Sequence, residues 1–211
     1  MYENDIISKK QFQDLKKSGL NLKKRKIEIV NEANSYTEEV RRSVKENYGF
    51  KKLYSQGLSI KTPLDIKYQI QAINSLRKGI EQYDKRHGWR GPVANKITDK
   101  NWQIKIEKFK LDPTLNWKFA EITNLKNSMI EFSILNLENN GKTKGIIKFN
   151  NFKWALKKKK TISDSFKIGD IILIKKENDL WKLKQYPKVN GGIVVIEPFT
   201  GVVKALVGGF N

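Results

Sequence analysis

Tyr83-Asp84-Lys85-Arg86-His87-Gly88-Trp89-Arg90-Gly91-Pro92 is the stretch at which the periodicity of this chain changes. Its two glycines and proline end whatever helix precedes them. On the N-terminal side Asp65 reads as an N-cap, and Ile66, Ile70, Ile73, Leu76, Ile80 and Tyr83 recur at steps of three and four. That spacing predicts an amphipathic helix with one apolar stripe. On the C-terminal side the period falls to two and the runs become short, as in a β-rich domain.

Working outward toward the C-terminus, Trp102, Ile104 and Ile106 alternate with polar residues and predict a strand. Residues 128–137 and 143–149 are two further β-rich runs, with Asn139-Asn140-Gly141 as their hairpin turn. Phe166 to Ile174 reads as a strand entered through a glycine bulge at Gly169, and Lys176 to Asp179 turns it into Leu180-Trp181-Lys182-Leu183. Short strands at this density predict a small barrel or sandwich. Residues 193–196 and 202–207 then form two strands about the turn Glu197-Pro198-Phe199-Thr200-Gly201. Both are apolar on nearly every side chain, which predicts a sheet covered on both faces. Nothing later in the sequence supplies that cover, so they read as the opening of an interrupted domain.

Toward the N-terminus, Ser8-Lys9-Lys10-Gln11 has the form of a capping box, with Phe12 and Leu15 as one apolar edge of a short helix ending near Ser18-Gly19. Residues 20–34 are basic and read as a linker. A second helix is expected from Tyr36 to Tyr48, with Tyr36, Val40, Val44 and Tyr48 on one stripe and Gly49 as its left-handed stop. Residues 57–62 alternate like a strand.

The 211 residues suffice for one large domain or two small ones. There is no cysteine and a single histidine, His87, which excludes disulfides, cysteine nucleophiles and the common zinc sites. No apolar run approaches the ~20 residues of a membrane-spanning helix, and the first five residues do not read as a secretory leader. The net charge of +20 points to an anionic partner such as nucleic acid. Lysine supplies most of it, since only Arg25, Arg41, Arg42, Arg77, Arg86 and Arg90 are arginines. Readers of phosphate and base edges favour the arginine fork. An A/T-rich genome, which enriches Lys, Ile and Asn together, accounts for the charge as well.

Three blocks together resemble the class A penicillin-binding proteins, the bifunctional enzymes of peptidoglycan synthesis. Tyr36 to Asp65, with Glu38-Glu39-Val40-Arg41-Arg42, Tyr48-Gly49, Leu53-Tyr54 and Gly57-Leu58-Ser59-Ile60-Lys61-Thr62, is similar to the segment joining their glycosyltransferase to their transpeptidase. Tyr83 to Pro92 resembles the way into their OB-like insertion. Gln185-Tyr186-Pro187-Lys188-Val189-Asn190-Gly191-Gly192 through Gly209 resembles the return into the transpeptidase sheet. Between the blocks the likeness rests on Trp117, Trp154-Ala155 and Gly169-Asp170. Pro63 and Glu197 depart from the family's usual threonine and aspartate, both in turns.

The resemblance implies an α+β fold: an OB-like β-barrel inserted into an incomplete transpeptidase domain, with N-terminal helices. Residues 1–26 would be the tail of the upstream region, 27–85 the first part of the transpeptidase domain, 86–187 the barrel, and 188–211 the first transpeptidase hairpin. It places the family's nucleophile beyond Asn211 and its glycosyltransferase glutamates before Met1. No catalytic, cofactor-binding or metal-binding residue is therefore assigned to this chain. The expected partners are the rest of a parent protein and, at the periplasmic face of the bacterial inner membrane, a regulatory protein or peptidoglycan. The alternative is a free-standing basic OB-fold protein that binds single-stranded nucleic acid.

Several residues still invite a chemical reading. Ser75-Leu76-Arg77-Lys78 matches the Ser-x-x-Lys motif of penicillin-reactive enzymes, yet it lies inside the predicted helix, where two solvated residues at helical spacing are the simpler reading. His87 could act as a general base but has no partner implied by the sequence. Lys157 to Lys160 could hold an anion, although such runs are commonly solvated loops. Trp102, Trp117, Trp154 and Trp181 could form a base-stacking platform, and their alternation with polar residues favours core packing instead.

Overall fold

The computed structural model describes residues 6–17, 31–135, 143–156 and 161–210. The chain divides into two compact units, residues 1–31 and 32–211. The described part of the first is helix α1 (Lys9–Lys17). The expected capping box is present: Gln11 N donates to Ser8 Oγ at 3.3 Å, and Ser8 N donates to Gln11 Oε1 at 2.9 Å.

The second unit opens with α2 (Asn34–Ser55), which is broken at Gly49, where φ is 81° and ψ 161°. Gly49 thus stops one helix as expected, and a further short helical piece follows. Of the predicted stripe only Tyr36 is buried; Val40 and Val44 are half-buried and Tyr48 is exposed. Residues 57–62 do not form the expected strand. They are exposed, with no neighbouring strand among the described residues to pair their amides.

Helix α3 (Ile66–Arg86) starts where the sequence places it, with the Asp65 carboxylate accepting from Lys67 N and Tyr68 N. Its buried stripe differs from the predicted one. Gln69, Ala72, Leu76, Ile80 and Asp84 are buried, whereas Ile66, Ile70 and Tyr83 are 39%, 42% and 44% exposed. The helix packs two polar side chains inward because each has a complete set of partners, described below.

Beyond α3 come β1 (Ala94–Asn95), α4 (Trp102–Lys108), β2 (Lys118–Lys126), β3 (Met129–Ile134), β4 (Lys144–Lys148), β5 (Asp170–Glu177) and β6 (Leu180–Lys184). Residues 102–108 are thus a helix and not the expected strand. Trp102 and Ile106 share its inner face, Ile106 is buried against Ala94 and Ile171, and Ile104 is 49% exposed. The two runs around residue 140 are β3 and β4, which pair antiparallel from Met129–Lys148 to Ser133–Lys144; Asn139-Asn140-Gly141 lies outside the described residues. The strand after Gly169 begins at Asp170. Gly169 has a φ of 84°, which favours glycine, and a Cβ there would also press on the exposed Ile97 side chain. The turn from β5 to β6 is tight, with Asn178 and Asp179 both at positive φ.

The sheet order is β1-β5-β2-β3-β4, with β6 also on β5, and all pairings are antiparallel. β4 and β6 approach each other, so the sheet curls toward closure. Its interior is one apolar core built on Ile122, Ile130, Phe132, Ile147, Phe152 and Phe166. Leu115, Trp117 and Leu173 turn outward from that core and pack on α3.

Finally β7 (Gly192–Ile196) and β8 (Val203–Gly208) form a separate two-stranded antiparallel sheet. The expectation that both faces are covered holds for one face only. Ile193, Val195, Ala205 and Val207 pack with Ala72, Leu76 and Ile80 of α3, while Val194 and Ile196 are each 53% exposed on the other side. Along its outer edge β8 is met by side chains and by the Asp65 amide, which donates to Lys204 O at 2.9 Å, and not by a strand. Gln69 pairs with both backbone groups of Leu206, donating to its carbonyl at 3.0 Å and accepting from its amide at 3.0 Å. Ser35 Oγ accepts from Gly208 N at 3.2 Å, and Tyr36 Oη donates to Val203 O at 3.0 Å.

Candidate functional site at the barrel junction

The two chain segments that lead into and out of the barrel meet at one carboxylate. Asp84, on the last turn of α3, is 3% exposed. Its Oδ1 accepts from Arg90 Nη1 at 2.7 Å and from Lys188 N at 3.2 Å, and its Oδ2 accepts from Gln185 Nε2 at 2.7 Å. Gln185 also donates to Gly88 O at 3.1 Å and accepts from Arg90 N at 2.8 Å, while Arg90 Nη2 donates to Tyr186 O at 2.6 Å. Residues 84–90 and 185–188 are thereby fastened across about a hundred positions of sequence. Burial pushes the Asp84 carboxyl up, but the bonds from Arg90, Gln185 and Lys188 outweigh it and hold the group below its ordinary value. Trp89, between the clasp and the barrel, seats the junction on the barrel core by packing on Trp154 and Phe166.

Beside the clasp lies a cleft of about 350 Å³ between the exposed side of α3 and strands β5 and β6. Lys78, Lys85, Lys175, Lys182 and Lys184 line it, with Glu81 and Glu177 as its carboxylates. Lys184 is 5% exposed and lies 2.7 Å from Glu81 and 2.9 Å from Glu177. Lys182 is also 2.9 Å from Glu177, whereas Lys85 and Lys175 reach their glutamates only at 3.9 Å. Burial pushes Glu177 up, but Lys184 and Lys182 prevail and bring it down to about 2. Lys85 lies below the ordinary lysine value, first because it is desolvated and next because Lys184 is close.

The residues singled out from sequence are dispersed. Ser75 is exposed in mid-helix and lines an apolar groove with Leu76, Ile80 and Val189, whereas Lys78 lines the basic cleft, so the two open onto different concavities. His87 caps the C-terminal end of α3, with Nδ1 3.0 Å from Tyr83 O and its ring on that of Tyr83. Lys157 to Lys160 lie outside the described residues. Trp117 is buried against α3 and Phe210, Trp154 packs on Trp89, Trp181 on Phe132, and Trp102 beside Ile106. They belong to three apolar clusters and share no platform. Neither Asp84 nor Gln185 was singled out from sequence, nor was the lysine cleft. The available signal was a polar residue in phase with Leu76 and Ile80 at either end of α3.

Among the described residues no helix is long and apolar enough to cross a membrane, and no group of acidic, histidine or cysteine side chains is arranged to hold a metal. Residues 89–189 match the family model described as the penicillin-binding protein OB-like domain. Over its whole length the chain is 36% identical to penicillin-binding protein 1A of Rickettsia felis and 28% identical to that of Escherichia coli, in each case spanning 26% of the relative. A crystal structure of penicillin-binding protein 1A from Haemophilus influenzae superposes with a TM-score of 0.64 at 25% identity, over 99% of this chain and 30% of that one. The chain is thus a homologue of about a quarter of penicillin-binding protein 1A, and its α+β fold is built around the OB-like domain of the penicillin-binding proteins.

Proposed function

We propose that this chain is the non-catalytic middle of a class A penicillin-binding protein, acting in bacterial peptidoglycan synthesis at the periplasmic face of the inner membrane. In this reading residues 86–187 are a barrel inserted into a transpeptidase domain whose first part is 27–85 and whose first hairpin is 188–211. One observation carries it. Ala72, Leu76 and Ile80, from before the barrel, share a single core with Ala205, Val207 and Phe210, from after it. A chain that leaves a core, builds a second one and returns to the first has the anatomy of an inserted domain. The barrel's role is to hold that host domain in position and to offer a docking face to a regulatory protein or to peptidoglycan. The nucleic-acid reading is disfavoured because its tryptophans are spent in separate cores.

A fluorescent penicillin tests the non-catalytic reading directly. Acylation needs a serine activated by a neighbouring lysine, and backbone amides free to hold an oxyanion. Ser75 sits in mid-helix, where the amides are already bonded. Intact mass after labelling at neutral pH is expected to be unchanged. A stoichiometric adduct that disappears in Ser75→Ala would overturn the assignment.

A further inference from the structure

The cleft between α3 and strands β5 and β6 holds more positive charge than its own carboxylates balance. Five lysines face two glutamates, and Arg77 at its rim is committed elsewhere, to Asp112 at 2.7 Å and to Phe210 O at 3.1 Å. Glu177 is shared by Lys182 and Lys184, with Lys175 at 3.9 Å, and Glu81 is shared by Lys184 and the more distant Lys85. Lys78 has no ion pair among the described residues. Lys85 is partly buried, 3.9 Å from Glu81 and 5.4 Å from the Trp154 ring, which both favour its charge, while desolvation and the nearby Lys184 disfavour it. A concave site with low-dielectric walls concentrates such a field.

We propose that this cleft binds an anion of the phosphate class, held by Lys78, Lys85 and Lys182 above the Lys184–glutamate floor. The donor set selects the chemistry. Planar carboxylates are best met by a guanidinium fork, and the one arginine in the lining is already engaged by Asp112 and Phe210 O. Ammonium groups converging from a helix and two strands suit a compact, multiply charged tetrahedral group, which carries about −1.5 to −2 near neutral pH as a phosphate ester. Asn74 adds a neutral amide donor at the wall. Binding would pair the surplus ammonium groups and relieve the crowding on Lys85. It would also bridge α3 to the barrel next to the Asp84 clasp. None of this depends on the chemistry of the rest of a penicillin-binding protein.

The test is isothermal titration of the 211-residue chain with pyrophosphate at fixed ionic strength, beside flotation with phosphatidylglycerol-containing vesicles against pure phosphatidylcholine ones. The double variant Lys78→Gln/Lys85→Gln is compared with Lys16→Gln/Lys17→Gln on α1, each accepted once its far-UV spectrum matches the parent. Saturable binding that weakens at least tenfold in the first variant and not in the second supports the site. A response to pyrophosphate makes the ligand a soluble phosphate, and a response to vesicles alone makes it a lipid headgroup. Should the first variant misfold, Lys78→Gln alone, at an exposed position, is expected to weaken binding severalfold. No binding in either arm, or binding indifferent to Lys78 and Lys85, would overturn the proposal.

Discussion

Replacing Asp84 by asparagine keeps the shape of the clasp and removes its charge. Gln185 cannot adapt by turning over, because its Oε1 is fixed by Arg90 N at 2.8 Å and its amide nitrogen must therefore face the substituted side chain. If the new asparagine keeps its oxygen toward Arg90 and Lys188, its own NH2 meets that of Gln185, donor against donor. If it turns over, Arg90 and Lys188 lose their acceptor. One charge-assisted hydrogen bond is lost in the first case and two contacts in the second, each worth roughly 1.5–3 kcal/mol when the acceptor is ionised. The side chain of Arg90 is 27% exposed and retains Tyr186 O, and Gln185 retains Gly88 O, so the lower part of the range applies. Asp84→Asn should destabilise the chain by about 2 kcal/mol, and Asp84→Ala by about 3 kcal/mol. Urea unfolding at pH 7, followed by tryptophan fluorescence and far-UV circular dichroism, measures both. The pH dependence gives a second check. The folded-state pKa of Asp84 is depressed, so its stabilisation is complete above the ordinary value of 3.8 and is lost as pH falls through the folded pKa. The gap between parent and Asp84→Asn must therefore narrow below pH 3.8. An Asp84→Asn protein within about 0.5 kcal/mol of the parent at pH 7, the range of ordinary surface substitutions, would refute the clasp as a source of stability.

Gln69→Leu strips Leu206 N, Leu206 O and Glu32 O of their shared partner; it should destabilise by about 2 kcal/mol and speed hydrogen exchange at the Leu206 amide, and an unchanged exchange rate would count against the pairing. Residues 86–187 expressed alone should melt cooperatively on the Phe132–Phe152–Phe166 core, yet bind a hydrophobic dye through Leu115, Trp117 and Leu173, which share a core with α3 and the hairpin. A featureless melt would argue against an independent barrel, and a cooperative melt with no dye binding against that packing.

The sequence announces the start of α3 and the β3–β4, β5–β6 and β7–β8 hairpins, because caps and turns are local signals read within a few residues. The inward face of α3 is not local. Ile66, Ile70 and Tyr83 have the apolar character of a core stripe, but Gln69 and Asp84 take the buried phase because Leu206 and Gln185 await them far along the chain, with Arg90 just beyond the helix. Trp102, Ile104 and Ile106 fit a period of two as well as α4 does, since seven helical residues are too few to separate the periods. Residues 57–62 alternate without a neighbouring strand, and alternation alone makes no ladder. The basic cleft was illegible for a related reason. Its lysines come from α3, β5 and β6, about a hundred residues apart, and in a chain with 42 basic residues no single one stands out.

Gln69, Ser35 and Tyr36 give the β7–β8 hairpin a handed capacity for growth. Side chains from α2 and α3 answer the outward amides and carbonyls of β8, so that border is closed. Of these two strands β7 has, among the described residues, neither a strand nor such side chains against its other flank, and its Val194 and Ile196 leave an apolar face beside it. Any strand that joins this sheet, from the same polypeptide or from another copy, must therefore add next to β7. Recruitment is a choice of one side, made by three side chains and one backbone amide before the incoming strand arrives.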